Sequence, residues 1–326
     1  MMASHQSEED VERVSSSILS IEPSYANHNG FLMPIGFPVK GFESGLTYQA
    51  RPNDLFIATY PKCGTTWMQH IVYLLLNHGT PIQPEESLGD IYPFLEKVGA
   101  EQVQQHEPFR ETPFRLIKTH LSRDMMRTNP RAKYIVVTRN PKDCVVSFFH
   151  HTKGFEQYYD FAKGSFNTYF TLFFNGRVDF GDYFQCLKSW MDHRHDPNVL
   201  LLTYEDLLEN MRDNLFAIAA FLDDDDDGVV SPRRSHARLS NYTNNLLANN
   251  EQLVHTICQQ SSFESMQMNS QRWTMSQRSH TPFIRNGKAN AWPDSISKHQ
   301  AAQLDRRMEE TFSQDDLEFL GDLYRA

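Results

Sequence analysis

Cysteine is scarce in this chain: four in 326 residues, Cys63, Cys144, Cys186 and Cys258, far apart and with no CxxC pair. That spacing excludes a zinc ribbon or a disulfide framework and fits free thiols in a reducing compartment. Positive charge is also in deficit, with 31 Lys and Arg against 41 Asp and Glu and a formal net charge of −10. A general affinity for nucleic acid or an anionic membrane, either of which needs a positive surface, is therefore not expected. No run of 18 apolar residues is present, and the opening stretch from Met1 to Glu12 is polar and acidic rather than basic and then apolar. The expectation is a cytoplasmic protein without a membrane partner. Nor does a Pro/Gly/Ser-rich linker divide the middle of the chain, so its 40% hydrophobic content is read as the core of one large domain.

What is present alternates. Short apolar runs at Leu55–Thr59, Arg115–Thr119, Tyr134–Thr138 and Val199–Thr203 read as strands buried on both faces of a parallel sheet. Helical patterns are expected at Thr66–Asn77, Cys144–His150, Tyr183–His193 and Glu205–Leu222. The order predicts an α/β fold, a single domain with a central parallel sheet flanked by helices, whose ligands gather at the carboxyl ends of the strands. Residues 1–30 are expected to be a flexible N-terminal segment, polar to about Ser20, and the Pro/Gly-rich stretch from Pro34 to Gly45 is read as a loop. The domain then spans 31–326. Residues 223–245, which begin with five aspartates, read as a solvated, mobile insertion, since like charges in a row resist burial. The alternating ligand spacing of a calcium loop is missing there.

One segment carries chemistry. Tyr60-Pro61-Lys62-Cys63-Gly64-Thr65-Thr66-Trp67 follows an expected strand and opens an expected helix. A glycine turn at a helix N-terminus aims free backbone N–H groups and the positive end of the helix dipole at one spot, an anion site. The nucleoside-triphosphate loop GxxxxGK[ST] places lysine after its last glycine, whereas Lys62 precedes Gly64, which disfavours a generic triphosphatase or P-loop kinase.

This loop resembles the 5′-phosphosulfate loop of the cytosolic sulfotransferase family, with Cys63 in place of the usual serine. Further matches follow in the family's order: Arg115 to Leu121, Tyr134 to Asp143, Ser147 to His150, Leu201 to Leu207 and Phe283 to Gly287. The resemblance covers roughly residues 30 to 312. It implies a P-loop-like fold and transfer of a sulfuryl group from 3′-phosphoadenosine-5′-phosphosulfate (PAPS) to a small acceptor, leaving adenosine 3′,5′-bisphosphate (PAP). By the same resemblance His120 is the general base, Lys62 stabilises the leaving nucleotide and Lys118 holds acceptor and sulfuryl group. Cys63, Gly64, Thr65 and Thr66 would bind the 5′ end and Trp67 the adenine. Arg139, Ser147, Arg285, Asn286 and Gly287 would clamp the 3′-phosphate, with Tyr204, Ser261, Phe263 and Phe283 around the nucleotide. The sequence position of Ser147 is read as the start of a helix. No metal is expected, because the cations are supplied by the protein.

An apolar acceptor pocket is expected from Phe37, Phe94, Phe149 and His151, with Phe31, Phe148 and the aromatic tract Tyr158–Phe174 nearby, which suits a phenol, alcohol or amine. Two departures from the family pattern matter. Asn286 stands where a lysine is usual, making one phosphate contact neutral. Pro293, Lys298 and Ala302 stand where the dimer segment's characteristic residues are expected, which points to a monomer or weak homodimer. Cys63, beside Lys62 at a helix N-terminus, has a setting that lowers a thiol's pKa, and is read either as oxidisable or as a passive stand-in for serine. A non-catalytic nucleotide-binding protein stays open as the alternative.

Overall fold

A short antiparallel ribbon, β1 (Tyr25–His28) and β2 (Phe31–Pro34), leads into a four-stranded parallel sheet. Its strands are β3 (Asp54–Thr59), β4 (Arg115–Thr119), β5 (Lys133–Thr138) and β6 (Val199–Thr203), in the order β4-β3-β5-β6. The computed structural model describes residues 21–223, 246–269, 273 and 284–321. The first 20 residues, the acidic stretch from 224 to 245 and Phe283 lie outside them.

The four expected strands are all present. Their side chains alternate between two apolar cores, Phe56, Tyr134 and Val136 on one face and Leu55, Ile57, Ile135 and Val137 on the other. Both faces are thus covered, which is why the runs are continuously hydrophobic. At the amino end of the sheet the buried Asp54 carboxylate accepts from Arg115 Nε (2.8 Å), Tyr48 Oη (2.7 Å) and the Arg51 amide (2.7 Å), so the enclosed charge is paired and hydrogen-bonded.

The chain leaves β3 for β4 on one side and returns across to β5 on the other, so the order of strands reverses at β3. A crevice opens at that switch, outside the carboxyl ends. Four segments converge there: the turn Tyr60–Gly64 after β3, His120 after β4, Arg139 after β5 and Tyr204 after β6.

Several expectations are corrected. The stretch from Pro34 to Gly45 is not a loop: β2 ends at Pro34 and a helix runs from Val39 to Leu46. Its glycines are there for contact, since a Cβ on Gly41 would lie 2.4 Å from the Lys97 carbonyl oxygen and one on Gly45 2.9 Å from that of Leu95. They let this helix lie directly on the Leu95–Gln105 helix. Regular structure also begins inside the expected flexible segment, at Tyr25. The expected helix Glu205–Leu222 is two, Tyr204–Glu209 and Met211–Asp223. Asn210 breaks it by bonding its side chain back to Asp206 Oδ1 at 2.7 Å, while its carbonyl accepts from the Asn214 amide at 3.0 Å. Asp223, the first of the five aspartates, ends that second helix and is buried. The helix expected from Cys144 begins three residues earlier and spans Pro141–Gly154, because Asn140 caps it by accepting from the Lys142 amide and Pro141 fits its first turn. Ser147 is therefore a mid-helix residue rather than one at the start.

The Pro141–Gly154 helix also anchors the C-terminal part of the fold. The buried Lys142 ammonium pairs with Asp305 at 2.9 Å and lies 4.7 Å from the Trp292 ring centroid. Asp143 accepts from the amides of Asn290 (2.7 Å) and Ala291 (3.1 Å). The segment carrying Arg285 to Lys288 is thereby tied beside β5.

Replacing Gly41 with valine forces a side chain into the Lys97 backbone. The expected loss is about 1–3 kcal/mol of folding stability, the usual cost of overpacking, read as a lowered midpoint in urea against the unaltered chain.

Candidate active site

The turn after β3 is built for an anion. Lys62 (φ 70°) and Gly64 (φ 104°) both adopt left-handed backbone, which folds the chain into a concavity of amides at the start of the Thr65–Leu76 helix. No side chain caps that helix, whereas Asn140, Ser165, Asp182, Asn250 and Ser297 cap theirs. At Gly64 a Cβ would meet the Tyr204 ring at 3.0 Å, so glycine is demanded by both conformation and space. Thr65 and Thr59 share a hydroxyl contact of 2.5 Å, which fastens the turn to the strand.

Cations surround this turn. Burial and then the neighbouring Arg139 and Lys118 charges push the Lys62 ammonium down to about 8. Burial likewise brings Lys118 down to about 8, and its Nζ lies 4.0 Å from the Phe94 ring centroid. Burial, followed by the Arg139 charge, also lowers the Arg285 guanidinium. Like charges gathered in a half-buried crevice repel, and they are stabilised when an anion enters. The Arg139 guanidinium donates to the carbonyls of Lys288 (3.0 Å) and Lys62 (3.4 Å) and lies 4.3 Å from the Tyr204 ring centroid. It bridges the turn to the C-terminal segment.

His120 is buried at the rim. Its Nδ1 lies 2.7 Å from the Thr59 carbonyl oxygen, an acceptor, so Nδ1 carries the proton and Nε2 keeps its lone pair. Phe94 and Phe180 cover the ring with centroids 5.0 and 4.9 Å away. This burial, then the Lys118 charge, holds the imidazole well below its ordinary pKa. The result is a neutral base beside two ammonium groups.

Three residues here escaped the sequence reading. Glu96, fully buried, accepts the His120 backbone N–H at 2.5 Å, and burial raises its pKa to about 7. Phe180 (φ 62°) presses on His120, and Thr59 orients it. A single glutamate or phenylalanine outside any motif carries no signal by itself; only their closeness to His120 does.

Most expected site residues are brought together. The Trp67 indole donates to the Ser261 carbonyl at 2.8 Å and sits 5.1 Å from the Tyr204 ring. Gly287 (φ 62°) lies on the Phe263 ring, where a Cβ would fall 2.0 Å from a ring carbon. Phe37 and Phe94 pack at 5.5 Å, and Phe94 reaches His120. His151 feels the charges of Lys62, Lys118 and His120, and burial with those charges drives it well below its ordinary pKa. Thr66, Ser147 and Asn286 are half-buried. Phe149 packs instead with Phe161, Phe166 and Tyr169, away from the His120 cluster, and its neighbour Phe148 packs with Tyr60 and His151. Cys63 differs from one of its readings. It is fully buried with Sγ 3.8 Å from Cys144 Sγ, and burial pushes its thiol well above the usual range. Desolvation outweighs the helix dipole here. Among the described residues no group of three or more His, Cys, Asp or Glu is placed to hold a metal, and no helix is long and apolar enough to cross a membrane.

A model of the sulfotransferase domain matches residues 52–316. The chain is 30% identical to human Sulfotransferase 1E1, over 89% of this chain and 94% of that protein. It is also 30% identical to mouse Sulfotransferase 6B1, over 81% of this chain and 77% of the relative. Among solved structures, mouse sulfotransferase SULT7A1 complexed with PAP superposes with a TM-score of 0.65 at 20% identity, over 92% of this chain and 98% of the other. Retinol dehydratase in complex with androsterone and inactive cofactor PAP does so at 0.66 and 21% identity, over 95% of each.

Since burial and not the dipole governs Cys63, the folded chain should leave this thiol unalkylated by iodoacetamide at pH 8, while urea-unfolded chain reacts fully. Rapid labelling of Cys63 in the folded chain, seen by peptide mass, would contradict that.

Proposed function

This chain belongs to the sulfotransferase family, and on that footing we propose that it transfers a sulfuryl group from PAPS to a hydroxyl or amine of a small aromatic or apolar acceptor, with His120 as base and Lys62 and Lys118 as the cations of the reaction. The observation that carries the reading is the meeting of a neutral, oriented imidazole with two ammonium groups at the mouth of an uncapped helix.

The residues present fit a doubly phosphorylated nucleotide. The amides of the Lys62–Thr66 turn, with the Thr65 and Thr66 hydroxyls, suit the 5′ end. Arg139 and Arg285, whose charges oppose each other, suit a second phosphate, and Ser147 and Gly287 have their place beside it by resemblance. Asn286 adds a neutral donor there, and Phe283 has its place in this clamp by resemblance. Trp67, Tyr204, Ser261 and Phe263 offer flat and polar surfaces to a base. PAPS, when bound, supplies the activated sulfuryl group.

The chain's own residues do the rest. Nε2 of His120 takes the proton from the acceptor, its ring held in one tautomer by Thr59. Lys62 stabilises the charge that grows on the departing nucleotide, and Lys118, held against Phe94, steadies the reacting oxygens. Phe94, Phe180 and Phe37 exclude water from the base. His151 adds a polar edge to the acceptor side. No metal enters this reading, because the positive charge is built into the protein.

The decisive experiment pairs two variants. His120→Ala should lower transfer to a phenol by about 10²–10⁴-fold, the range for loss of a general base, while PAP affinity measured by calorimetry holds. Arg139→Ala should instead weaken PAP by about tenfold or more, as loss of a charge-assisted phosphate contact does. Unchanged transfer by the His120→Ala chain would remove His120 as the base, and absence of transfer by the unaltered chain while PAP still binds would return the protein to a nucleotide-binding role.

The pH profile of kcat/KM for PAPS follows from the same groups in the free enzyme. His120, held well below its ordinary pKa, is already neutral at pH 6.5, so no acid limb is expected there. Lys62 and Lys118 are cations only below about 8, so kcat/KM should fall as pH rises through that value. A profile flat to pH 10 would oppose their assignment.

A further inference from the structure

Beside Tyr159, whose ring is 5.9 Å from that of His151, lies a buried carboxyl that the proposed reaction does not use. Asp179 is fully buried, and its Oδ2 accepts from the Tyr159 hydroxyl at 2.8 Å. Its Oδ1 has no hydrogen-bond partner, and neither has the hydroxyl of Tyr25, whose ring packs edge-on to Tyr159 at 5.9 Å. Two unmet polar atoms against one aromatic ring are costly in a dry interior unless something meets them.

The cluster adjoins the reacting groups. The His151 ring is 5.9 Å from that of Tyr159, and His151 feels the charges of Lys62, Lys118 and His120. Asp179 also precedes Phe180, which covers His120. Its charge is felt by the hydroxyls of Tyr25, Tyr60, Tyr159 and Tyr169. His151 thus lies within reach of the charges of Lys62 and Lys118 and, through Tyr159, beside the Asp179 acid.

We infer that Asp179 is a specificity-determining residue, which selects acceptors that carry a protonated amine at the end remote from the hydroxyl to be sulfated. The inference rests on the sulfotransferase reading of the site. An ionised carboxylate is an acceptor only and meets an ammonium with a charge-assisted bond, while the tyrosine rings around it offer π faces to a cation. An anionic acceptor end is repelled from it. Burial lifts the Asp179 carboxyl to about 7, so it is partly neutral in the free chain and becomes ionised when an ammonium settles beside it. For an amine arm to reach the enclosed Asp179, the Tyr159 hydroxyl bonded to it has to turn aside.

The full chain with PAPS is assayed on three phenols of matched size: 4-(2-aminoethyl)phenol, 4-(2-hydroxyethyl)phenol and 4-propylphenol. The amine should be preferred over 4-propylphenol in kcat/KM, and Asp179→Asn should cut that ratio by about tenfold or more through KM, the worth of a buried charge-assisted bond. Tyr159→Phe, which releases Oδ2 without touching the acid, should move the ratio the same way by less and serves if Asp179→Asn fails to fold. Equal preference for the hydroxyethyl arm, no amine preference in the unaltered chain, or a ratio that neither variant moves would overturn the inference alone. Absence of transfer to all three while PAP still binds would overturn the proposed function along with it.

Discussion

The site depends on a local excess of positive charge held inside a negative protein. Lys62, Lys118, Arg139 and Arg285 crowd the carboxyl ends of β3, β4 and β5, where helix dipole and uncapped amides add to the same field. Burial depresses Lys62, Lys118 and Arg285, and the charges of neighbouring cations add to it. A crevice that stores such repulsion binds an anion tightly, because binding relieves it. Overall charge and site charge have opposite signs, and only the second governs the ligand.

The same burial that strains the cations tunes the base. His120 stands among Phe94, Phe180 and Lys118, and each of these opposes the imidazolium. The Thr59 carbonyl then chooses the tautomer. A neutral base at neutral pH is thus a product of packing, and its orientation comes from a strand that is not its own. Glu96 does a related task on the backbone side by holding the His120 amide. The cluster around Tyr159 shows a second use of burial, in which Asp179 and Tyr25 carry unmet polar atoms among tyrosines.

Much of the architecture was readable because its elements advertise themselves. β4 and β6 match the expected runs Arg115–Thr119 and Val199–Thr203, and in β6 the apolar run Val199–Leu202 is what a strand covered on both faces requires. The Val39–Leu46 helix was read as loop, because Gly41 and Gly45 look like turn residues until the Lys97 and Leu95 carbonyls are seen against them. The Lys298–Thr311 helix went unremarked although its capping box, Ser297 with Gln300, is a signal a sequence can show. The thiol of Cys63 was open to two readings for the same kind of reason. Its neighbours in the chain favour a low pKa, and its neighbours in space, Cys144 and the core, impose a high one.

The amino-acid order by itself determined the strand and helix alternation and the glycine turn at the start of the Thr65–Leu76 helix, since these follow from local periodicity and a left-handed glycine. The tertiary structure alone decided which groups share a field: that His120 is neutral, that Lys62 and Lys118 titrate near 8, that Phe148 rather than Phe149 joins the cluster beside His151, and that Asp179 lies beside Tyr159. Burial and charge act through space over a few ångströms, and residues as distant in the chain as Thr59 and His120 become neighbours only when the strands come together.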